Sequence, residues 1–164
     1  MKRVLTIATA IILATTSTAF AGNHDNPVNK TTSYESSFTK IQVEDGIDIL
    51  LVESADKSIE FEGDEAAIAK VDWKIKDGVM HISSKKGSLR GKVKLIVNVN
   101  NLRELSVKDG SEVMSYGQLK SASLRIFLDG DAFISVKSSG NITLSNTGDT
   151  DLEVRRVEGN VKFE

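Results

Sequence analysis

Residues 102–163 read LRELSVKDGSEVMSYGQLKSASLRIFLDGDAFISVKSSGNITLSNTGDTDLEVRRVEGNVKF, a string of short alternating apolar runs punctuated by glycine. The runs are Leu105/Val107, Leu124/Ile126/Leu128, Ile134/Val136, Ile142/Leu144, Leu152/Val154 and Val161/Phe163, and the glycines are Gly110, Gly117, Gly130, Gly140, Gly148 and Gly159. A strand therefore recurs roughly every 10 residues and a strand-and-turn pair roughly every 20. A run with two or three inward apolar side chains cannot bury them alone. Pairing each run with its equivalent one turn later stacks Leu105, Ile126 and Leu144 into a ladder, which predicts an all-β parallel solenoid of stacked coils. An antiparallel sandwich or barrel competes, because evenly spaced short strands suit both. Self-similarity at a fixed period favours the coil.

Each coil needs sharp corners, where glycine avoids a side-chain clash and a neighbouring Asp or Thr can bond turn amides. The corner residues on this reading are Gly46, Asp77, Gly78, Asp109, Gly110, Asp129, Gly130, Gly140, Thr147, Gly148 and Gly159. The apolar pair lies one residue nearer to Gly110 than its counterparts lie to Gly130 and Gly148, which predicts a bulge or a shifted first coil.

Upstream, Phe38 to Val43 alternates, breaks at Glu44-Asp45-Gly46 and resumes from Ile47 to Val52 as strand, turn, strand. Ser58 to Phe61 is a further strand. The segment from Asp64 to Lys70 is the sole helix candidate, one or two turns long, with Asp64 able to cap it. Val71 to Lys76 and Val79 to Ser83 flank Asp77-Gly78, a dipeptide suited to the positive backbone angles of a two-residue hairpin turn. Val93, Leu95, Val97 and Val99 then share one face of a strand.

The first 21 residues read as a secretory signal peptide: Lys2 and Arg3, an apolar stretch from Val4 to Leu13, and the small-x-small site Ala19-Phe20-Ala21. An uncleaved anchor competes, but the apolar stretch is shorter than the roughly 20 residues a spanning helix needs. Residues 22–37 are polar, include the one proline of the chain, Pro27, and read as a flexible arm. Residues 38–164 read as one domain. The expected destination is an extracytoplasmic one, periplasm or cell surface, with no membrane span after cleavage. With no cysteine, neither a disulfide nor a lipid-modified cysteine is available.

The 21 Lys and Arg against 23 Asp and Glu leave a net charge of −2, which argues against nucleic acid as a partner. One basic cluster stands out, Lys85-Lys86-Gly87-Ser88-Leu89-Arg90-Gly91-Lys92. It reads as a solvated loop between strands, or as a contact patch for an acidic polymer or lipid headgroups in which Lys85, Lys86, Arg90 and Lys92 take part. A phosphate-binding loop is excluded by a glycine gap one residue short and by Val93 where Ser or Thr is required.

Catalytic constellations are missing from the pattern. The two histidines are His24 in the arm and His81 on an outward strand position, neither beside a nucleophile, and no zinc ligand set is present. Stacking of Asp129 and Asp131 on Asp149 and Asp151 would gather oxygen ligands for calcium, but the glycine-dense calcium repeat is absent. No metal and no cofactor is expected.

Phe38-x-x-Ile41-x-Val43-x-x-Gly46-x-x-Ile49, the Asp77-Gly78-x-Met80-x-Ile82 hairpin, Leu102-x-x-Leu105-x-Val107 and the repeated strand-and-glycine corners resemble the bacterial head GIN domain family of putative auto-transporter adhesins, from Phe38 to Glu164. The resemblance implies a right-handed β-helical domain, related in shape to pectin-lyase-like folds, with no conserved active site and an adhesive role. The corners here read Asp-Gly-Ser, Asp-Gly-Asp and Thr-Gly-Asp rather than Ser-Gly-Ala-Ser. The repeats also stop early, which leaves Val161 and Phe163 at an open edge that must be blunted by charge, covered by the segment from Asn23 to Ser37, or paired with another copy of the chain.

The expected function is therefore a secreted or periplasmic, non-catalytic interaction module that binds a glycan or protein of the cell envelope. Trp73, Tyr116 and the basic loop are its candidate contacts, although Trp73 alternates with Val71 and Ile75 and so also reads as core. A polysaccharide-acting enzyme on a pectin-lyase-like scaffold is the alternative, resting on fold analogy alone.

Overall fold

A computed structural model describes residues 27–146 and 153–163. Among them, one sheet contains β1 (Val28–Ser33), β2 (Lys40–Val43), β3 (Asp48–Glu53), β4 (Ser58–Gly63), β5 (Val71–Lys76), β6 (Val79–Ser84), β7 (Val93–Val99), β8 (Glu104–Lys108), β9 (Glu112–Leu119), β10 (Ser123–Asp129), β11 (Phe133–Asn146) and β12 (Glu153–Phe163), with one helix, α1 (Glu65–Ile68). The segment read as signal peptide lies outside the described residues.

The alternation of buried and half-exposed positions within each strand divides the sheet into two wings that enclose one core. The first wing runs β5, β6, β2, β8, β10 and then residues 141–146 of β11. The second runs β1, β4, β7, β3, β9 and then residues 133–138 of β11. Strand β11 belongs to both, so the sheet curls back on itself within that one strand. Gly140 makes the bend possible, because a Cβ there would collide with the carbonyl oxygens of Ser121 and Ala122.

The apolar ladder is present. Ile41 lies opposite Met80 and Leu105, Leu105 opposite Ile126, and Ile126 opposite Leu144, all at most 1% exposed. The second wing carries the matching row Phe61, Leu95, Ile49, Val113 and Ile134. Each such side chain contributes about 1.5–3 kcal/mol on burial, which is what drives the rungs together.

Two expectations need correction. The sheet is mixed rather than wholly parallel: eight strand pairs are parallel, but β1 with β4, β4 with β7, and β5 with β6 are antiparallel. The Asp77-Gly78 turn explains the last of these, since both residues have positive φ (52° and 76°) and two residues suffice to reverse the chain. The stacking order also differs from chain order. The rung formed by β2 and β3 sits between the rung of β6 and β7 and the rung of β8 and β9.

No bulge separates Gly110 from Gly130. Lys108 pairs with Asp129 and Glu112 with Phe133, so three residues turn each corner. Asp109 and Gly110 both have positive φ (51° and 75°), whereas at the next corner Gly130 alone does (65°). The glycine has moved one place within the corner and the strands have kept register.

Inside the stretch read as an arm, Val28–Ser33 forms β1, hydrogen-bonded to β4. Its apolar signal is weak because an edge strand is held by backbone bonds and need not bury alternate side chains. Helix α1 is a single turn whose Asp64 makes no side-chain cap; the Asp64 carbonyl instead accepts from the Ala67 and Ile68 amides at 3.0 and 2.8 Å.

Candidate functional site

The basic loop replaces a tight corner. Ser84 at its start donates its amide to the Asp45 carboxylate (2.9 Å), and Leu89, 1% exposed, donates its amide to the Asp45 carbonyl (2.9 Å). A Cβ on Gly46 would collide with the Ser88 hydroxyl, so the loop lies directly on the Asp45-Gly46 corner.

This seat throws Arg90 along the ridge of corners. Its Nη2 stands 3.3 Å from where a Cβ on Gly110 would lie, and its guanidinium carbon is 5.4 Å from the centroid of the Phe133 ring. Among the described residues it makes no ion pair within 4.0 Å. Arg90, Ser88, Asp109, Gly110, Gly130 and Asp131 line a shallow depression of about 300 Å³. One cation there faces two carboxylates, so the depression is not an anion site. Nearby, burial and then the Glu112 charge push the Asp48 carboxyl above its usual value, opposed by Arg90, a hydrogen bond from the Gly91 backbone and Lys94.

The four cations of the loop do not converge. Arg90 lies on the ridge; Lys92 lies beside Pro27, Gly63 and Asp64; Lys86 is exposed; and Lys85 turns to a cleft at the β1/β5 end of the stack. That cleft, about 220 Å³, is lined by Lys30 and Thr32 of β1 with Phe61 of β4 from one wing, and by Val71 and Trp73 of β5 with Lys85, just beyond β6, from the other. Trp73 is half-buried and packed against the core.

Of the other expected corner residues, Asp77 and Gly78 form the hairpin tip, where a Cβ on Gly78 would meet open space. Asp129 is paired with Lys108 (3.5 Å). Its supposed calcium-site partners Asp149 and Asp151, together with Thr147 and Gly148, lie outside the described residues. Gly159 falls inside β12, where the register with β11 skips Ser138, Ser139 and Gly140. Tyr116 is 74% exposed, beside Gly117 with its positive φ of 75°. His81 is half-buried on β6, opposite Lys74 and Gln42.

Three serines escaped the sequence reading. Ser111, Ser121 and Ser138 are at most 2% exposed. Ser111 Oγ accepts from the Ile47 amide (3.1 Å), Ser121 Oγ donates to the Leu102 carbonyl, and Ser138 Oγ donates to the Ser121 carbonyl (3.2 Å). Each hydroxyl ties one rung to the next. Their signal was a serine recurring just beyond an apolar run, as in Leu119-Lys120-Ser121 and Val136-Lys137-Ser138. Lys30 was missed as well, because only the pairing of β1 places it opposite Phe61.

Residues 37–162 match the family model described as "Putative auto-transporter adhesin, head GIN domain". No curated protein matches. Among solved structures, a "putative adhesin" from Parabacteroides distasonis superposes with a TM-score of 0.62 at 20% identity, over 84% of this chain and 67% of that one. One from Parabacteroides merdae gives 0.50 at 14%, over 84% and 95%. A "putative lipid binding protein" from Parabacteroides distasonis gives 0.51 at 15%, over 85% and 73%. At these identities the likeness is one of fold.

Proposed function

This chain belongs to the head GIN domain family of putative auto-transporter adhesins, and from that premise we propose that it is an exported, non-catalytic, adhesin-like module that binds a glycan or protein of the cell envelope. In this reading residues 1–21 are removed on export, the mature chain reaches the periplasm or the cell surface, and its parallel rungs wind right-handed, as crossover connections between parallel strands do in about 98% of cases. Two copies associate through β12, which among the described residues pairs on one side only, with β11.

One observation carries the non-catalytic reading. The buried hydroxyls and the corner carboxylate that a hydrolase would need are committed to the scaffold: Ser111, Ser121, Ser138 and Asp45 each bond a backbone group of another rung or corner. A nucleophile or base must face the substrate, whereas these oxygens face backbone partners within the scaffold.

The test is a panel of defined polymers, with binding to the mature chain measured by calorimetry and release of reducing or unsaturated ends measured in parallel. Saturable binding without turnover is the expected result. Turnover abolished by a single Asp or Lys substitution would replace this reading with that of a polysaccharide-acting enzyme.

A further inference from the structure

The cleft at the β1/β5 end brings an indole, aliphatic side chains, a hydroxyl and two lysines together. Cross-strand partners point to the same side of a sheet. Lys30 faces Phe61 and Thr32 faces Ile59, so both project from the side of β1 that looks toward the core, where the last strand of the wing overhangs the end of the stack. On the opposite wing the inward row of β5 is Val71, Trp73 and Ile75. The β1/β4 side of the cleft therefore offers the Lys30 ammonium and Thr32 hydroxyl beside the Phe61 ring, and the β5/β6 side offers the Trp73 indole and Val71 beside Lys85. None of the lining residues is acidic, and among the described residues neither Lys30 nor Lys85 forms an ion pair.

Each feature asks for something different of a ligand. Two lysines that line one cleft and form no ion pair among the described residues favour a carboxylate, which they bind by charge-assisted hydrogen bonds. A partly exposed indole presents the negative face of its π-system, which suits the weakly positive C–H groups on one side of a sugar ring. The Thr32 hydroxyl both donates and accepts, as a sugar hydroxyl requires. A space of about 220 Å³ suits one ring at a time. An acyl chain would leave the polar groups of the cleft unsatisfied, and a neutral sugar would leave the two cations unpaired.

We infer that this cleft binds a carboxylate-bearing hexose unit of an acidic polysaccharide, with the ring stacked on Trp73 and the carboxylate held between Lys30 and Lys85. The inference rests on the adhesin-like reading above and gives it a ligand class. The Arg90 ridge is not the site, because Asp109 and Asp131 repel an acid there.

Trp73 is the sole tryptophan, so its emission reports on this cleft alone. The full chain is titrated with trigalacturonate, with maltotriose as the neutral control and phosphatidylglycerol vesicles as the lipid control. Saturable change in Trp73 emission with trigalacturonate, weakened about fivefold to tenfold in Lys30→Gln and Lys85→Gln, is expected. Lys30→Arg should restore most of the affinity, and Lys86→Gln, which lies outside the cleft, should leave it unchanged. Thermal melts confirm that the variants are folded. If an acidic glycan binds without altering Trp73 emission or without needing Lys30, the cleft assignment falls while the adhesive reading stands. If no acidic glycan binds, or only vesicles shift the emission, the ligand class is wrong.

Discussion

Asp48 and Glu112 stand directly opposite each other on the neighbouring parallel strands β3 and β9, two carboxylates in register near the corner that Arg90 overlies. On the other side Asp48 faces Lys94, which in turn pairs with Glu62 at 3.6 Å. Like charges directly opposite cost stability, and here the cost is shared between a half-buried acid and the cations arranged around it.

That arrangement fixes a pH dependence. Burial, then Glu112, raise the Asp48 pKa above 3.8. A folded value above the unfolded one means that the group's stabilising contribution is complete below the ordinary carboxylate range and is lost as pH rises through the folded value. Asp48→Asn should therefore stabilise the protein at pH 7, by up to about 1 kcal/mol, with a smaller gain at pH 3. Urea midpoints at the two pH values check this; a loss of stability at pH 7 refutes it.

Arg90 is one of the groups that pull the Asp48 value down. Arg90→Ala should move the Asp48 pKa further up, visible in an NMR titration of its carboxyl carbon, and should cost about 0.5–1 kcal/mol through the lost contact with Phe133. An unmoved Asp48 titration would show that the guanidinium does not rest on the corner ridge in solution.

Gly140 and Gly78 separate steric need from backbone need. Gly78→Ala meets open space and carries only the left-handed penalty of about 1–2 kcal/mol. Gly140→Ala drives a methyl group into two carbonyl oxygens at the bend of β11 and should cost more, about 3 kcal/mol, by chemical denaturation. Equal losses would mean that the bend can relax.

Ser121→Ala removes the hydroxyl that reaches the Leu102 carbonyl across a site with no solvent exposure. A loss of about 1–3 kcal/mol is expected, since the carbonyl is left without its partner. Val in place of Ala would not restore it; Thr would in part.

Association through β12 predicts that Phe163→Lys, at a position 66% exposed, lowers the mass measured by light scattering while circular dichroism shows the strands retained, and removes any concentration dependence of the melting temperature. A monomeric parent protein would dispose of that contact.

The ladder was legible because burial imposes a period of two within each strand and of about twenty between rungs, so Leu105, Ile126 and Leu144 announce themselves. The Asp77-Gly78 hairpin was legible from two residues. What stayed hidden were relations that no local period encodes. Nothing in residues 40–53 says that 79–99 and 104–119 will lie on either side of them. Nothing in the polar segment 28–33 says that it will be recruited by β4. The basic loop read as one patch because its cations are adjacent in sequence, whereas the Asp45 corner on which it is seated splits Lys85 from Arg90. The Lys30–Trp73 cleft joins residues whose proximity depends on that same tertiary arrangement.

The displaced position of the first rung has a kinetic consequence. Ile41 can be walled in only after Met80 and Leu105, both far downstream, have been brought to it. The loop-closure entropy of two long excursions is thus spent before the central rung is secured, whereas the β5/β6 hairpin closes through a two-residue turn. Burial of that rung therefore waits until more than half of the chain is available.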